Sequence, residues 1–275
     1  MNIEQLRHPK EKLYKSLCIV FGAFIWISLI LGTLLSILLS LIPPVVLILW
    51  ILLVVLILWM TGKFFQVRMF GNSVHVNERQ YSELNQIVNE LSEQLQLKQK
   101  PDTFILSSQG EINAFAVKFL NGKYILLFSD LVDLLWENNK NKNQLRFVIA
   151  HELAHHAAGH MSFRINLLMK PAMFIPFLGA AYSRSCELTC DRIAAELVQD
   201  QKSSVNALIS LSLGSTELIH LTDKDAFIMQ EIQVPGVFGF LQEIVSSHPR
   251  MTKRVIAIEN YQSKTLINYQ QVDVV

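Results

Sequence analysis

The sequence predicts an α+β fold: an N-terminal transmembrane helical hairpin followed by a mainly helical domain with a small β-sheet. Three observations lead there. From Leu17 to Met60 the chain carries no Asp, Glu, Lys or Arg. Only 17% of the 275 residues are charged, against about 25% in an ordinary soluble domain. Beyond the uncharged run, segments with helical apolar spacing alternate with short runs of strand-forming residues bounded by turn signals.

Residues 1–16 set Arg7, Lys10, Lys12 and Lys15 against Glu4 and Glu11, and read as a basic cytoplasmic tail. The uncharged run that follows would extend about 66 Å as one helix, twice the roughly 30 Å hydrocarbon thickness, so it must cross twice. It also exceeds the roughly 7–15 apolar residues of a cleavable signal peptide. Pro43-Pro44 removes two backbone donors and divides the hairpin, 17–62, into spans near Leu17–Ile42 and Val45–Thr61. Phe24 and Trp26 are expected to pack within the first span, and Trp59 to lie near the second exit. Basic residues flank both ends, Lys63 and Arg68 after the second span, while the turn is bare. The positive-inside bias therefore puts both termini on the cytoplasmic side of the cell membrane, as a multi-pass protein.

Residues 63–275 form the second unit. Tyr81, Leu84, Ile87, Val88, Leu91 and Leu95 give Glu78–Leu97 an amphipathic helical pattern. Strands are expected at Thr103–Ser107, Asn113–Val117 and Lys123–Phe128, the last two joined by a hairpin at Asn121-Gly122. A short helix at Asp130–Trp136, a polar loop at Glu137–Asn143 and a long apolar helix from Gln144 to about Gly159 follow. The uncharged segment Pro171–Tyr182 is too short, and too interrupted by Pro171 and Pro176, for a further span; it reads as buried or membrane-facing. Residues 61–275 carry 20 Lys and Arg against 21 Asp and Glu, a nearly neutral balance that leaves no electrostatic footprint for nucleic acid. Three cysteines, Cys18, Cys186 and Cys190, form no disulfide framework and suit a reducing compartment.

The long helix carries His151-Glu152-Leu153-Ala154-His155. Positions i and i+4 share one helical face, so both imidazoles can reach one metal ion, while Glu152 lies one residue round and can meet a water beside it. A tetrahedral catalytic zinc takes three protein ligands. The metzincin solution needs Gly and His where this chain has Ala158 and Met161, and is excluded. The other solution is a carboxylate from a second helix, and Glu187-Leu188-Thr189-Cys190-Asp191 supplies an ExxxD pattern. Glu187 is then the third ligand, and Asp191 holds the free ring N–H of a ligand histidine. His156 and His160 point at other helical angles and read as non-ligands. His8, His75 and His220 have no metal-like spacing, and Cys186 and Cys190 read as packing thiols.

These elements, with Ser183-Arg184-Ser185-Cys186 before Glu187 and Arg192 after Asp191, resemble the HtpX-like and CAAX prenyl protease family of integral-membrane zinc metallopeptidases. Asn113-Ala114-Phe115-Ala116 is similar to that family's NAF strand, which implies that Asn113, Ala114 and Phe115 bind substrate by backbone pairing. Ser247-His248-Pro249 followed by Arg254 is similar to the family's HP-x4-R element, which implies oxyanion stabilisation by His248 and a supporting charge at the substrate from Arg254. The resemblance implies a zincin-like metallopeptidase domain with one Zn2+ per chain and Glu152 as general base. It implies an endopeptidase cleaving membrane or membrane-proximal proteins, with a peptide substrate and the lipid bilayer as partners and protein quality control as the process. HtpX-type members usually carry two further spans between HExxH and ExxxD, for which the segment from His155 to Glu187 has no room. A different class of function, a catalytically silent membrane metalloprotein acting as a partner-binding scaffold, is disfavoured because every expected catalytic residue type is present.

Overall fold

The computed structural model describes residues 1–272 except 109, 111, 120, 121, 137–141, 216 and 217. A short helix α1 (Ile3–Leu6) leads into α2 (Pro9–Leu38), and α3 (Pro44–Asn72) follows a tight turn. Among the described residues α2 and α3 are the two helices long and apolar enough to cross a membrane. Most of their Leu, Ile and Val side chains lie outside any protein core. Both outrun the predicted spans, because a helix goes on gaining one hydrogen bond per residue after the sequence turns polar.

In the N-terminal segment Leu6 is buried in the main core and Glu11 is fully buried. Phe24 is 67% exposed instead of packed, whereas Trp26 donates its indole N–H to the Leu167 carbonyl at 3.0 Å. That contact is part of a seam between α2 and the segment α7 (Phe163–Met169), described below. Cys18, Met169, Ala172, Tyr182 and Cys186 form its buried cluster. Gly22 sits at the closest approach, where a Cβ would fall 2.3 Å from the Leu168 carbonyl oxygen.

After α3 the chain makes a four-stranded sheet and one helix, in the order β1 (Val74–His75), α4 (Ser82–Gln94), β2 (Asp102–Leu106), β3 (Ala114–Phe119) and β4 (Gly122–Phe128). The strand order is β1-β2-β4-β3: β2 runs parallel to β4, and both outer pairs are antiparallel. β3 is therefore an edge strand, paired on one side only, with Ala116 opposite Ile125. The expected hairpin residue Asn121 and positions 137–141 of the expected polar loop lie outside the described residues.

The helical part comprises α5 (Ser129–Trp136), α6 (Asn143–Ala157), α7, α8 (Leu178–Val198), α9 (Gln201–Leu213), α10 (Lys224–Met229), α11 (Gly236–Val245) and α12 (Met251–Val272). α6 is buried on nearly every face, with Leu145, Phe147, Ile149, Leu153 and Ala154 in the core. It packs against the sheet on one side and α8 and α9 on the other. The uncharged segment after α7 makes a short 3₁₀ turn, Lys170–Phe174, packed on α2, and then enters α8. Among the described residues it forms no helix long and apolar enough to cross a membrane.

Gly22→Ala is expected to lower stability by about 1–3 kcal/mol, because its Cβ meets a backbone oxygen that cannot rotate away. Gly32→Ala, with no atom within 4 Å of the added Cβ, should be close to neutral. Thermal unfolding of the two variants in detergent checks the contrast.

Candidate metal centre

α6 and α8 cross with their polar faces toward one another, and three of the expected side chains converge there. His151 Nε2 lies 3.4 Å from Glu187 Oε2, and His155 Nε2 lies 3.3 Å from Glu187 Oε1. One ligand atom from each of the three residues falls within 4.8 Å of the others. Two imidazoles and a carboxylate at this spacing are the donor set of a catalytic zinc site that keeps a fourth position free. The charge balance fits a dication as well. Glu152, Glu187 and Asp191 are all buried, and Arg254 is the basic side chain buried among them.

The outer partners are equally specific. Asp191 Oδ1 lies 2.9 Å from His151 Nδ1, on the ring face away from Glu187. Arg254, from the first turn of α12, grips both oxygens of Asp191, with Nε to Oδ2 at 2.8 Å and an Nη2 to Oδ1 distance of 2.6 Å. Burial alone would push Asp191 up; the Arg254 guanidinium outweighs it and holds the carboxyl below its ordinary value. Burial likewise pushes His151 down, but hydrogen bonds to Asp191 and Glu187 win and raise it to about 10. Arg254 lines the cleft as expected, but its guanidinium is committed to Asp191 and is not free for a substrate.

Glu152 turns the other way, toward the sheet. Its Oε2 accepts the Ala116 N–H of edge strand β3 at 2.6 Å. Asn113 precedes that strand and accepts the Ala114 N–H on its own Oδ1 at 2.9 Å. Phe115 stacks edge-on against Phe128, with ring centroids 5.4 Å apart. His248 reaches the site from the loop before α12. Its Nδ1 is 3.1 Å from Glu187 Oε2, its side chain is 68% exposed, and that bond to Glu187 raises its pKa. A cleft of about 210 Å³ runs beside Asn113, Ala114, Glu152, Glu187 and His248. A second hollow of about 330 Å³ lies beyond Glu187 and His248, walled by Met161, Met169, Met173 and Tyr182.

The remaining histidines and cysteines also have places. His156 turns its Nε2 to the Tyr124 carbonyl at 3.1 Å, and Cys190 is a fully buried core thiol. His160 reads from the sequence as a non-ligand. It stays outside the cluster of His151, His155 and Glu187, but its Nδ1 lies 3.1 Å from His155 Nδ1, and its Nε2 lies 3.3 Å from the buried Glu11. No motif spacing connects Glu11 to residues some 150 positions away. The only sequence signal is that Glu11 is one of two acidic side chains among the four basic ones of the tail.

The sequence pattern of Peptidase family M48 matches residues 78–177 and 165–262. The chain is 30% identical to the plastoglobule-localized metallopeptidase 48 of Arabidopsis thaliana chloroplasts, over 62% of this chain and 52% of that protein. It is 26% identical to a protease HtpX homolog of Fusobacterium nucleatum, over 73% of this chain and 75% of that one. It thus spans about half the length of the plant relative. Among solved structures, Ste24p of S. mikatae aligns over 91% of this chain and 66% of its own, at 18% identity and a TM-score of 0.47.

Arg254→Met is expected to destabilise the protein by about 3–5 kcal/mol, because it strands the buried Asp191 carboxylate. Adding Asp191→Asn should recover part of that loss, since the two residues share one interaction. Chemical denaturation of the two single variants and the double variant measures this coupling, and simple additivity would contradict it.

Proposed function

The chain belongs to peptidase family M48, and from that premise we propose that it is a membrane-anchored, zinc-dependent endopeptidase. Its substrates on this reading are membrane or membrane-proximal proteins, with quality control as the process. The observation that carries the reading is the contact between Glu152 and Ala116. It joins the proposed base on the metal helix to the open edge of β3, where an extended peptide can add as a further strand. A peptide bond held along that edge lies beside His151, His155 and Glu187.

His151, His155 and Glu187 would hold the zinc, with Asp191 and Arg254 fixing the His151 ring. When bound, zinc supplies a Lewis acid that polarises the scissile carbonyl and makes a water acidic enough to attack near neutral pH. Glu152 takes the proton of the attacking water and delivers it to the leaving amine. His248, at the mouth of the cleft, donates a ring N–H to the developing oxyanion. Asn113, Ala114 and Phe115 align the substrate backbone.

The bilayer supplies the second half of the proposal. α2 and α3 cross it, both termini face the cytoplasm, and Phe163, Phe174 and Phe177, exposed beside the α2 seam, rest at the interface. The catalytic cleft then lies close to the membrane surface.

Purified protein should hold one zinc per chain, lost with chelator and strongly reduced by Glu187→Ala. Glu152→Gln should keep the zinc while peptide cleavage falls to near background. His248→Phe should also keep it and lower turnover by roughly 10²–10³, as for a single oxyanion donor. Cleavage by Glu152→Gln at the wild-type rate would remove the residue from the base role. Reporters fused to the two termini should both read as cytoplasmic; one outside would mean an odd number of spans.

A further inference from the structure

We infer that Glu11, acting through His160, is the positioning carboxylate of His155, so that the segment leading into the first membrane helix belongs to the metal centre. The inference rests on the reading of His155 as a metal ligand. It names one residue of the basic N-terminal tail and one histidine that the sequence reads as a non-ligand.

The hydrogen-bond directions allow one consistent arrangement. His155 turns Nε2 toward Glu187, at 3.3 Å, and Nδ1 toward His160, at 3.1 Å. With Nε2 given to a metal, Nδ1 must carry the proton and donate it. His160 then accepts on Nδ1, which leaves its own proton on Nε2, facing Glu11 Oε1 at 3.3 Å. The chain metal–His155–His160–Glu11 therefore needs no charged histidine, and every ring nitrogen in it has a partner. It matches the arm that Asp191 gives to His151, with one imidazole interposed.

Glu11 is held for such a task. It has no solvent exposure, Thr189 donates its hydroxyl to the second carboxylate oxygen, and Arg7 pairs with the first. Arg7 also donates to the Ala158 carbonyl at the end of α6, at 2.6 Å, which ties the carboxylate to the metal helix itself. Thr189 lies between Glu187 and Asp191 on α8. A buried carboxylate that served only to anchor the N-terminal segment would have no need to face a histidine touching a metal ligand.

The test uses the full-length protein in detergent, with zinc affinity measured against a competing chelator and the visible spectrum of the Co2+-substituted form. Glu11→Gln should weaken zinc binding by about 10–100-fold, the usual cost of losing an outer partner of a metal-bound histidine. It should also shift the Co2+ bands. His160→Phe should do the same, and the double variant should be no worse than the poorer single one. Leu6→Ala, which loosens the same N-terminal segment without touching the carboxylate, should lower stability and leave zinc affinity and the Co2+ spectrum unchanged. Should Glu11→Gln fail to fold, Glu11→Asp keeps the charge and withdraws it by one methylene, and a smaller shift of the same sign is expected. Wild-type affinity and spectrum in the Glu11 variant that folds would overturn the inference. So would two zinc ions per chain with only the second lost in that variant, because Glu11, His160 and Cys186 would then be a separate metal site. A wild-type protein that binds no metal would overturn the metal reading, and this inference with it.

Discussion

Burying carboxylates is the constraint on which the rest of the structure depends. Glu152, Glu187 and Asp191 lie between α6 and α8 or against the sheet with almost no contact with water. An ionised carboxylate in such surroundings is strongly destabilising unless it is paired and hydrogen-bonded. Asp191 is met by Arg254, Glu152 by a backbone N–H, and Glu187 by His151, His155 and His248. These partners come from α12, β3, α6 and the loop before α12, so satisfying three side chains fixes the placement of α6, α8, β3 and the start of α12 at once. The apolar remainder of α6 then decides which way it can turn. With Leu145, Ile149 and Leu153 committed to the core, the His151 and His155 face has only α8 to look toward.

What the sequence makes legible follows from range. His151 with His155, and Glu187 with Asp191, are i, i+4 pairs, and the helical repeat alone puts each pair on one face. Apolar periodicity likewise carries α4, α5 and α6, and turn chemistry carries β2, β3 and β4 to within a few residues of their observed bounds. β1, two residues long, has no periodicity to read, and its existence depends on Val74 and His75 meeting β2. The role of Arg254 and the burial of Glu11 were not legible for a related reason. A charged residue carries no mark of its partner when that partner is contributed by another helix, and a basic composition hides the one acid that folds inward.

The edge strand shows how a sheet edge can be kept usable. Unpaired strand edges invite association with other chains, and proteins usually cover or charge them. Here Asn113 caps the first amide of β3 with its own side chain, and Glu152 occupies the amide of Ala116. A carboxylate is a reversible cover. On the proposed reading, a peptide adding to the edge would compete for the same N–H and free the Glu152 oxygen within the cleft lined by His151 and Glu187. Small side chains at Ala114 and Ala116 keep that approach open.

His151 and His155, two of the three histidines of α6, are supported from opposite ends of the chain. His151 is fixed by Asp191 and Arg254, and so by α12; His155 leans on His160 and Glu11, and so by way of α2 on the membrane hairpin. α2 is continuous from Pro9 to Leu38, and Glu11 lies in its first turn, so its buried carboxylate and its apolar span cannot move independently. The Gly22 seam fixes the same helix against α7 two to three turns further on, where the chain passes from α6 toward α8. A displacement of α2 relative to the bilayer is therefore transmitted to both the seam and His160. A soluble domain cut from the hairpin would lose Glu11, the close packing at Gly22 and the Trp26 bond together. The membrane segment is thus part of the scaffold of the metal centre, and its role is not limited to anchoring.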